Sequence, residues 1–504
     1  MRKLDLRRTI TFMAFSAVFA MAVRVVVDTD LYWHLAAGRY ILQAGIPLAD
    51  PFSATMTGKA WVDIYWLAQI GLYSVFTWLG MNGLMLLVGL LVVGAFVFVW
   101  KQMSGGVWLR TGVLILTAVA TSEVWTARPH LLTFLFAAIL GYILYLYKWQ
   151  KIDRLWLIPF LFVGWVNVHG GYIAGFMLLG ALIVGEAVES GVRNSDWRIW
   201  VPHPEIETPR AELSWLAWRK LARITLVSAV VVLINPYTIG ALELPFKTVG
   251  IGSLQNYIAE WASPNFHDIL QQPMIWLLLL TLCCIGWSGR RLAIADALTL
   301  SVFAYISFLA QRNIGLFAIV CAPILTRHAS ALIEKARWGR RRMSRGLPIV
   351  NAIILIAISI VVGLKVLAVM QPSIRATAEG KVLPIGAADW IEQHRPIGAM
   401  FNAYNWGGYL MWRLGSNYPV FIDGRTDLYD DAFLNTYRAI VLAEAGAEAL
   451  LERYQVNFIV AESNSVLMVY LAQSDRWCLA YHDQQAAIYT RRVGECLTTS
   501  NQSN

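Results

Sequence analysis

Charge is scarce in this chain: only 14% of its 504 residues are Asp, Glu, Lys or Arg, while 58% are hydrophobic and 22 are tryptophan. With a mean hydropathy of +0.54, it is too apolar for a water-soluble domain to hide, which excludes a soluble globular fold and implies a polytopic membrane protein. Cysteine is scarce too, with five in all, and no CxxC or paired His/Cys spacing marks a structural zinc site. Cys283, Cys284 and Cys321 fall in apolar runs and read as small packing residues. No internal repeat or low-complexity tract is present. The first eight residues resemble a signal-peptide n-region, but no small-residue cleavage site precedes Asp28, so the first apolar run reads as an uncleaved helix.

Apolar runs of membrane-spanning character lie near 9–27, 83–100, 108–125, 131–147, 155–168, 172–188, 224–236, 274–288, 293–310, 314–326 and 347–370, which predicts eleven spans. The net charge of +9 would suit a nucleic-acid partner, but the basic residues sort by membrane side instead. With the N-terminus cytoplasmic, the outer segments hold only Arg39, Lys59, Arg128, Lys247 and Arg312, while the inner ones are rich in Lys and Arg. The strongest inner clamp is Arg337 with Arg340, Arg341, Arg342 and Arg345. The inner loop 189–223 carries Trp197, Trp200, Trp215 and Trp218 beside basic residues, the composition of a segment lying on the membrane surface.

An odd number of crossings places everything after residue 370 outside the cytoplasm. There the pattern changes: strand-length runs (419–422, 456–460, 486–489) alternate with helix-like stretches (431–443, 447–454). The expectation is an all-α transmembrane domain over 1–370, with a long first outer loop at 28–82, and an extracytoplasmic α/β domain over 371–504. Cys478 and Cys496 both belong to that outer domain, where an oxidising compartment permits a disulfide.

Ionisable residues gather at the outer ends of the spans. Asp28-Thr-Asp30-Leu-Tyr-Trp33-His34 leaves the first span directly, followed by Asp50 and Asp63. Other outer loops bring Glu123, Arg128 and His130, then Asn167 and His169, Asn235-Pro-Tyr237, Glu260-Trp261, His267-Asp268 and Gln311-Arg312-Asn313. Charge beside lipid is costly unless it faces water or a partner, so the set implies a polar chamber open to the outside. In the first outer loop, residues 31–42 have helical apolar spacing, Gly45-Ile-Pro47 ends that run, and 66–79 is a second short apolar stretch. Two carboxylates beside His and Arg are the residue types for general-base activation of a hydroxyl and binding of a phosphorylated leaving group.

An acid-aromatic-His cluster after the first span, a long outer loop with two juxtamembrane helices, many spans and an exported C-terminal domain resemble the GT-C superfamily of integral-membrane glycosyltransferases. Segments 28–53, Arg128-Pro129-His130, Asn167-Val-His-Gly-Gly171, Asn235-Pro-Tyr237 and Glu260-Trp-Ala-Ser-Pro264 are similar to bacterial membrane proteins described as GT-C-like. The resemblance implies a multi-pass plasma-membrane enzyme that takes sugar from a polyprenyl-phosphate or polyprenyl-diphosphate donor and passes it to an unknown extracytoplasmic acceptor. It implies Asp30 as the base or metal ligand, with Asp28 second and Asp63 in a supporting catalytic role. His34, Trp33, Arg128, His130, His169, Glu260 and Arg312 then bind substrate, Arg by offering a fixed fork of donors to phosphate oxygens. Asn405-Trp-Gly-Gly-Tyr409 is similar in position to the oligosaccharyltransferase Trp-Trp-Asp-Tyr-Gly-Tyr motif but lacks its Asp, so sequon recognition does not carry over. Trp406 and Tyr409 read equally well as core residues, and Asp423-Gly-Arg425-Thr-Asp427 reads as an exposed ligand-contacting loop. Asp30, Glu123 and Glu260 occupy loops comparable to those that carry a divalent cation in the oligosaccharyltransferases, but no DxD appears in the second outer loop, so the reading leans to metal independence. The alternatives are a flippase for a lipid-linked glycan and a non-catalytic envelope polysaccharide assembly protein.

Overall fold

The computed structural model describes residues 5–25, 27–193, 213–252, 258–336, 348–494 and 496. It divides into two compact units, one of residues 1–24, 82–242 and 255–369, the other of 25–81, 243–254 and 370–504.

The first unit is helical. Every predicted span overlaps a helix. Among the described residues six helices are long and apolar enough to cross a membrane: Trp66–Gln102, Val107–Val124, His130–Trp149, Tyr172–Gly191, Gln311–Lys335 and Pro348–Val369. The chain is therefore a multi-pass membrane protein. The other predicted spans fall on shorter helices, namely Leu6–Ala22, Leu157–Val166, Trp215–Val231, Gln272–Trp287 and Ile294–Leu309. Helix packing in lipid favours small residues at contacts, and Gly185 shows why: a Cβ there would strike the Ala295 backbone. A charge held far from water is costly unless an opposite charge meets it. Accordingly, Lys148 Nζ lies 2.6 Å from Glu186 Oε1, and Arg327 pairs with Asp296. The helix Trp215–Val231 is capped by Ser214 and opens on Trp215 and Trp218, stacked 5.0 Å apart with Trp215 exposed. The predicted clamp at Arg337, Arg340, Arg341, Arg342 and Arg345, and Trp197 and Trp200, lie outside the described residues.

The second unit centres on a four-stranded sheet of β1 (Ala399–Asn402), β2 (Val456–Glu462), β3 (Trp477–His482) and β4 (Ala486–Arg491), in the order β1-β2-β4-β3. β1 and β2 are parallel and the other pairings antiparallel. Phe458–Ala461 of β2 are all buried, the unbroken run of a strand covered on both faces. The helices Asp431–Val441, capped by Asp430, and Ala447–Arg453 match the predicted ones. Residues 419–422 form no strand; Val420 makes a single bridge to Ser53. Cys478 and Cys496 are joined in a disulfide.

The first outer loop folds into this second unit, whereas the sequence pattern had placed it with the spans. Its helix Asp30–Ala44 lies on the helix Gly407–Leu414. A Cβ at Gly408 would stand 2.9 Å from Thr29 O and 3.2 Å from Trp33 N, so glycine is required for that approach. Tyr32 meets Tyr409 edge-on at 5.1 Å, and Arg39 donates to Trp412 O at 3.0 Å. Trp406 and Tyr409 are core residues, 4% and 5% exposed. Gly80, at φ 63° and ψ −162°, breaks the helix Trp66–Gln102 and separates the short stretch 66–79 from the predicted span at 83–100.

Candidate functional site

Of the polar residues singled out in the sequence, two groups come together, one inside each unit. In the second unit, Asp30 is half-buried at the first turn of its helix, and its amide donates to Asp28 Oδ1 at 3.0 Å. Asp30 Oδ1 stands where a Cβ on Gly424 would have to go, and Trp33 Nε1 lies 3.3 Å from the same point. Trp33 is 5% exposed, and its Nε1 has no hydrogen-bond partner among the described residues. The Trp33 and His34 rings lie with centroids 3.5 Å apart and planes tilted by 33°.

Asp63 has no solvent exposure at all. Its Oδ1 accepts from Gln69 Nε2 at 2.9 Å, and the same Nε2 lies 3.4 Å from His34 Nδ1. Oδ2 has no partner among the described residues. Burial pushes the Asp63 carboxyl up to about 8, over the opposing pull of the Tyr65 amide. Such a group is uncharged at neutral pH, and Gln69 links it to His34.

Asp423 and Arg425, expected on an exposed loop, are buried. Arg425 binds Asp423 through Nε at 2.8 Å and Nη2 at 2.7 Å, and Asp50 through Nη1 at 2.6 Å. Tyr429 donates to Asp423 Oδ2 at 3.0 Å, the Phe52 and Ser53 amides donate to Asp50, and the guanidinium sits 4.7 Å over the Trp61 ring. A loop with two acids and an arginine reads as exposed in one dimension; here a third carboxylate from the first outer loop and a ring of donors satisfy it in the core. Its half-buried neighbour Asp427 is pushed up to about 6 by burial.

In the first unit, Arg128, His130, His169, Glu260 and Arg312 come together from four segments. Arg128 Nη2 donates to both Glu260 oxygens, at 3.3 and 3.1 Å, and Arg312 Nη1 is 3.6 Å from Glu260 Oε1. Arg312 lies 4.5 Å over the Trp261 ring. Burial alone would raise the Glu260 carboxyl; Arg312 and Arg128 outweigh it and hold it below the usual carboxylate range. His130 Nε2 is 2.6 Å from Val124 O, and the two imidazoles are 6.5 Å apart. The Gly171 amide donates to His169 Nδ1 at 2.9 Å. An amide N–H can only donate, so Nδ1 is unprotonated and the ring proton is assigned to Nε2. Burial and the two guanidiniums keep His169 neutral, well below its ordinary range. Thr133, itself held by Trp165 Nε1 at 2.8 Å, flanks the same nitrogen at 2.9 Å.

Reading the sequence missed Gly424, Gln69, Tyr429, Thr133 and Trp165, none of which carries a charge. Gly424 was legible only as part of the Asp-Gly-Arg turn, and Gly171 only as part of Gly170-Gly171. Glu260 does not suit a divalent cation, since two guanidiniums already neutralise it. Among the described residues no three His, Cys, Asp or Glu gather as a metal would need.

No family model matches the sequence, and no curated protein does. Solved structures do. The archaeal oligosaccharyltransferase AglB from Archaeoglobus fulgidus, in complex with an inhibitory peptide and a dolichol-phosphate, is 11% identical over 90% of this chain and 69% of its own, with a TM-score of 0.52. The Archaeoglobus fulgidus oligosaccharyltransferase tethered to an acceptor peptide gives 12%, 91%, 69% and 0.53. ArnT from Cupriavidus metallidurans bound to undecaprenyl phosphate is 11% identical over 95% of this chain and 97% of its own, with a TM-score of 0.47. At these identities the likeness is one of fold.

Proposed function

Because this chain has the fold of the GT-C glycosyltransferases, we propose that it is a membrane glycosyltransferase that moves a sugar from a polyprenyl-phosphate or polyprenyl-diphosphate donor to an extracytoplasmic acceptor. It would sit in a bacterial plasma membrane with its N-terminus inside. The observation that carries this reading is the pairing of Arg128 and Arg312 on one carboxylate beside two histidines, at the ends of apolar helices. Two guanidiniums in fixed geometry suit a phosphate better than any neutral ligand, and an isoprenoid tail can stay in the bilayer while its phosphate reaches them.

In the reaction, the acceptor oxygen bonds to the anomeric carbon, the bond from that carbon to the donor phosphate oxygen breaks, and the acceptor proton passes to a carboxylate. Asp30 takes the proton, and Asp28 orients it through the Asp30 amide. Asp63, fully buried, supports the helix through Gln69 and His34. Arg128, Arg312 and His130 receive the charge that develops on the departing phosphate. No step is routed through a cation.

The test is turnover of a panel of radiolabelled polyprenyl-phosphate sugars by purified protein, wild type against Asp30→Asn and Asp28→Asn. Turnover that survives both changes removes the proposed base. A second reading, a flippase for a lipid-linked glycan, is favoured by one observation. A cavity of about 100 Å³ lined by Gln102, Tyr145, Lys148, Asp296 and Arg327 lies at the other end of the helix His130–Trp149, roughly 30 Å along it. Translocation of a fluorescent polyprenyl-phosphate glycan in liposomes, without sugar transfer, would replace the enzyme reading with this one.

A further inference from the structure

The geometry points to Glu260 as a built-in occupant of the phosphate site, a carboxylate that a phosphate must displace on entry and that returns to expel the phosphate left after transfer; this rests on the reading of Arg128 and Arg312 as phosphate ligands. Arg128 Nη2 alone contacts both carboxylate oxygens, and Arg312 Nη1 is 3.6 Å from one of them, so two guanidiniums share one anion as they would share a phosphate. The Glu260 side chain remains 36% exposed while Arg128 and Arg312 are 17% and 26% exposed, so it is the most accessible of the three.

Its mounting favours withdrawal and return. Glu260 rides on the short turn Ala259–Trp261. That turn is tied to the segment bearing Arg312 by the Gln311 amide on Ala262 O at 3.0 Å and by Gln311 Nε2 on Ala259 O at 2.5 Å. Trp261 stacks under Arg312. The carboxylate is thus hinged beside the cations, and among the described residues Arg128 is its one hydrogen-bond donor.

Charge decides what the site prefers. With His169 neutral, Arg128, Arg312 and Glu260 sum to one positive charge, and without Glu260 to two. A donor phosphodiester carries one negative charge, and the monoester released from a polyprenyl-phosphate donor approaches two. The returning carboxylate therefore repels the product more than the donor, which makes Glu260 a discriminator between the two.

The test uses hexadecyl phosphate, a monoester, and dihexadecyl phosphate, a diester, as probes of the detergent-purified full chain. Affinity is read by native mass spectrometry titration, with thermal unfolding of each variant as the folding control. Glu260→Gln is expected to bind the monoester roughly tenfold tighter than wild type and the diester by a smaller factor. Gln311→Ala, which removes the side-chain tie to Ala259 O and keeps the backbone one, without changing charge, is expected to shift affinity the same way by less, and it decides the matter if Glu260→Gln unfolds. Unchanged or weaker monoester binding in the folded variants overturns the inference while wild-type binding that falls in Arg128→Gln keeps the phosphate reading. If wild type binds neither probe, or binds them as well as Arg128→Gln does, the phosphate reading fails and the inference with it.

Discussion

Arg425 Nη1 donates to Asp50 Oδ1 across 2.6 Å, and neither side chain has any exposure to solvent. The contact joins residues 375 positions apart and pins the turn of the first outer loop to the sheet-bearing domain. Two carboxylates share the one guanidinium, and the excess negative charge rests on amide and hydroxyl donors. Removing one partner of such a pair leaves a buried charge unanswered. Arg425→Met is therefore expected to cost about 3–5 kcal/mol, read as a lowered unfolding temperature and as faster proteolysis within residues 45–65.

Asp63 makes stability depend on pH. Its carboxyl titrates at about 8 in the folded chain against 3.8 for an ordinary aspartate, so the folded state binds a proton that the unfolded state has already lost. That contribution is fully present below pH 4 and disappears as pH rises towards 8, by about 1.4 kcal/mol per unit. Asp63→Asn keeps an acceptor for Gln69 and carries no charge. It is expected to flatten the decline in unfolding temperature between pH 5 and 8, and a variant whose slope equals the wild type's would contradict the assignment.

Gly424→Ala is expected to act on Asp30. The new Cβ needs the position of Asp30 Oδ1, so the carboxylate must move, while overpacking costs the fold about 1–3 kcal/mol. Turnover should fall at least as far as in a conservative Asp30→Glu variant, with donor affinity retained. Equal turnover in Gly424→Ala and wild type would show that the position of Asp30 is not critical.

The Cys478–Cys496 disulfide reports on location. In intact cells these two thiols should resist a membrane-impermeant maleimide until a reductant is added, and should then label from outside. Loss of the bridge in Cys478→Ser is expected to cost about 3 kcal/mol for a loop of this length. Labelling that requires permeabilised cells would reverse the proposed orientation.

Helices that must survive in lipid carry their identity in composition, which is why each apolar run of the sequence lies on a helix. Two strands escaped for local reasons. β1 has four residues, and β3 alternates burial only loosely. The exposed loop expected at 423–427 is buried because its neutralising partner, Asp50, lies in a distant segment, and no local pattern announces a long-range ion pair. Gly171 and Gly424 likewise matter for what sits where a side chain would be, and that is invisible along the chain.

The sequence by itself determined that this is a multi-pass membrane protein whose pattern turns to strands and short helices after residue 370, because apolar length and periodicity are local properties. Charge set against an apolar background marked Asp28, Asp30, Arg128, Glu260 and Arg312 as candidates, and only the family resemblance placed Asp30 ahead of Asp28. Only the tertiary structure decided that residues 25–81 fold with the sheet, that Asp63 and Arg425 are core groups, and that Glu260 stands between two guanidiniums. Those facts depend on pairings across hundreds of residues, where burial and the cost of an unpaired charge select the partner.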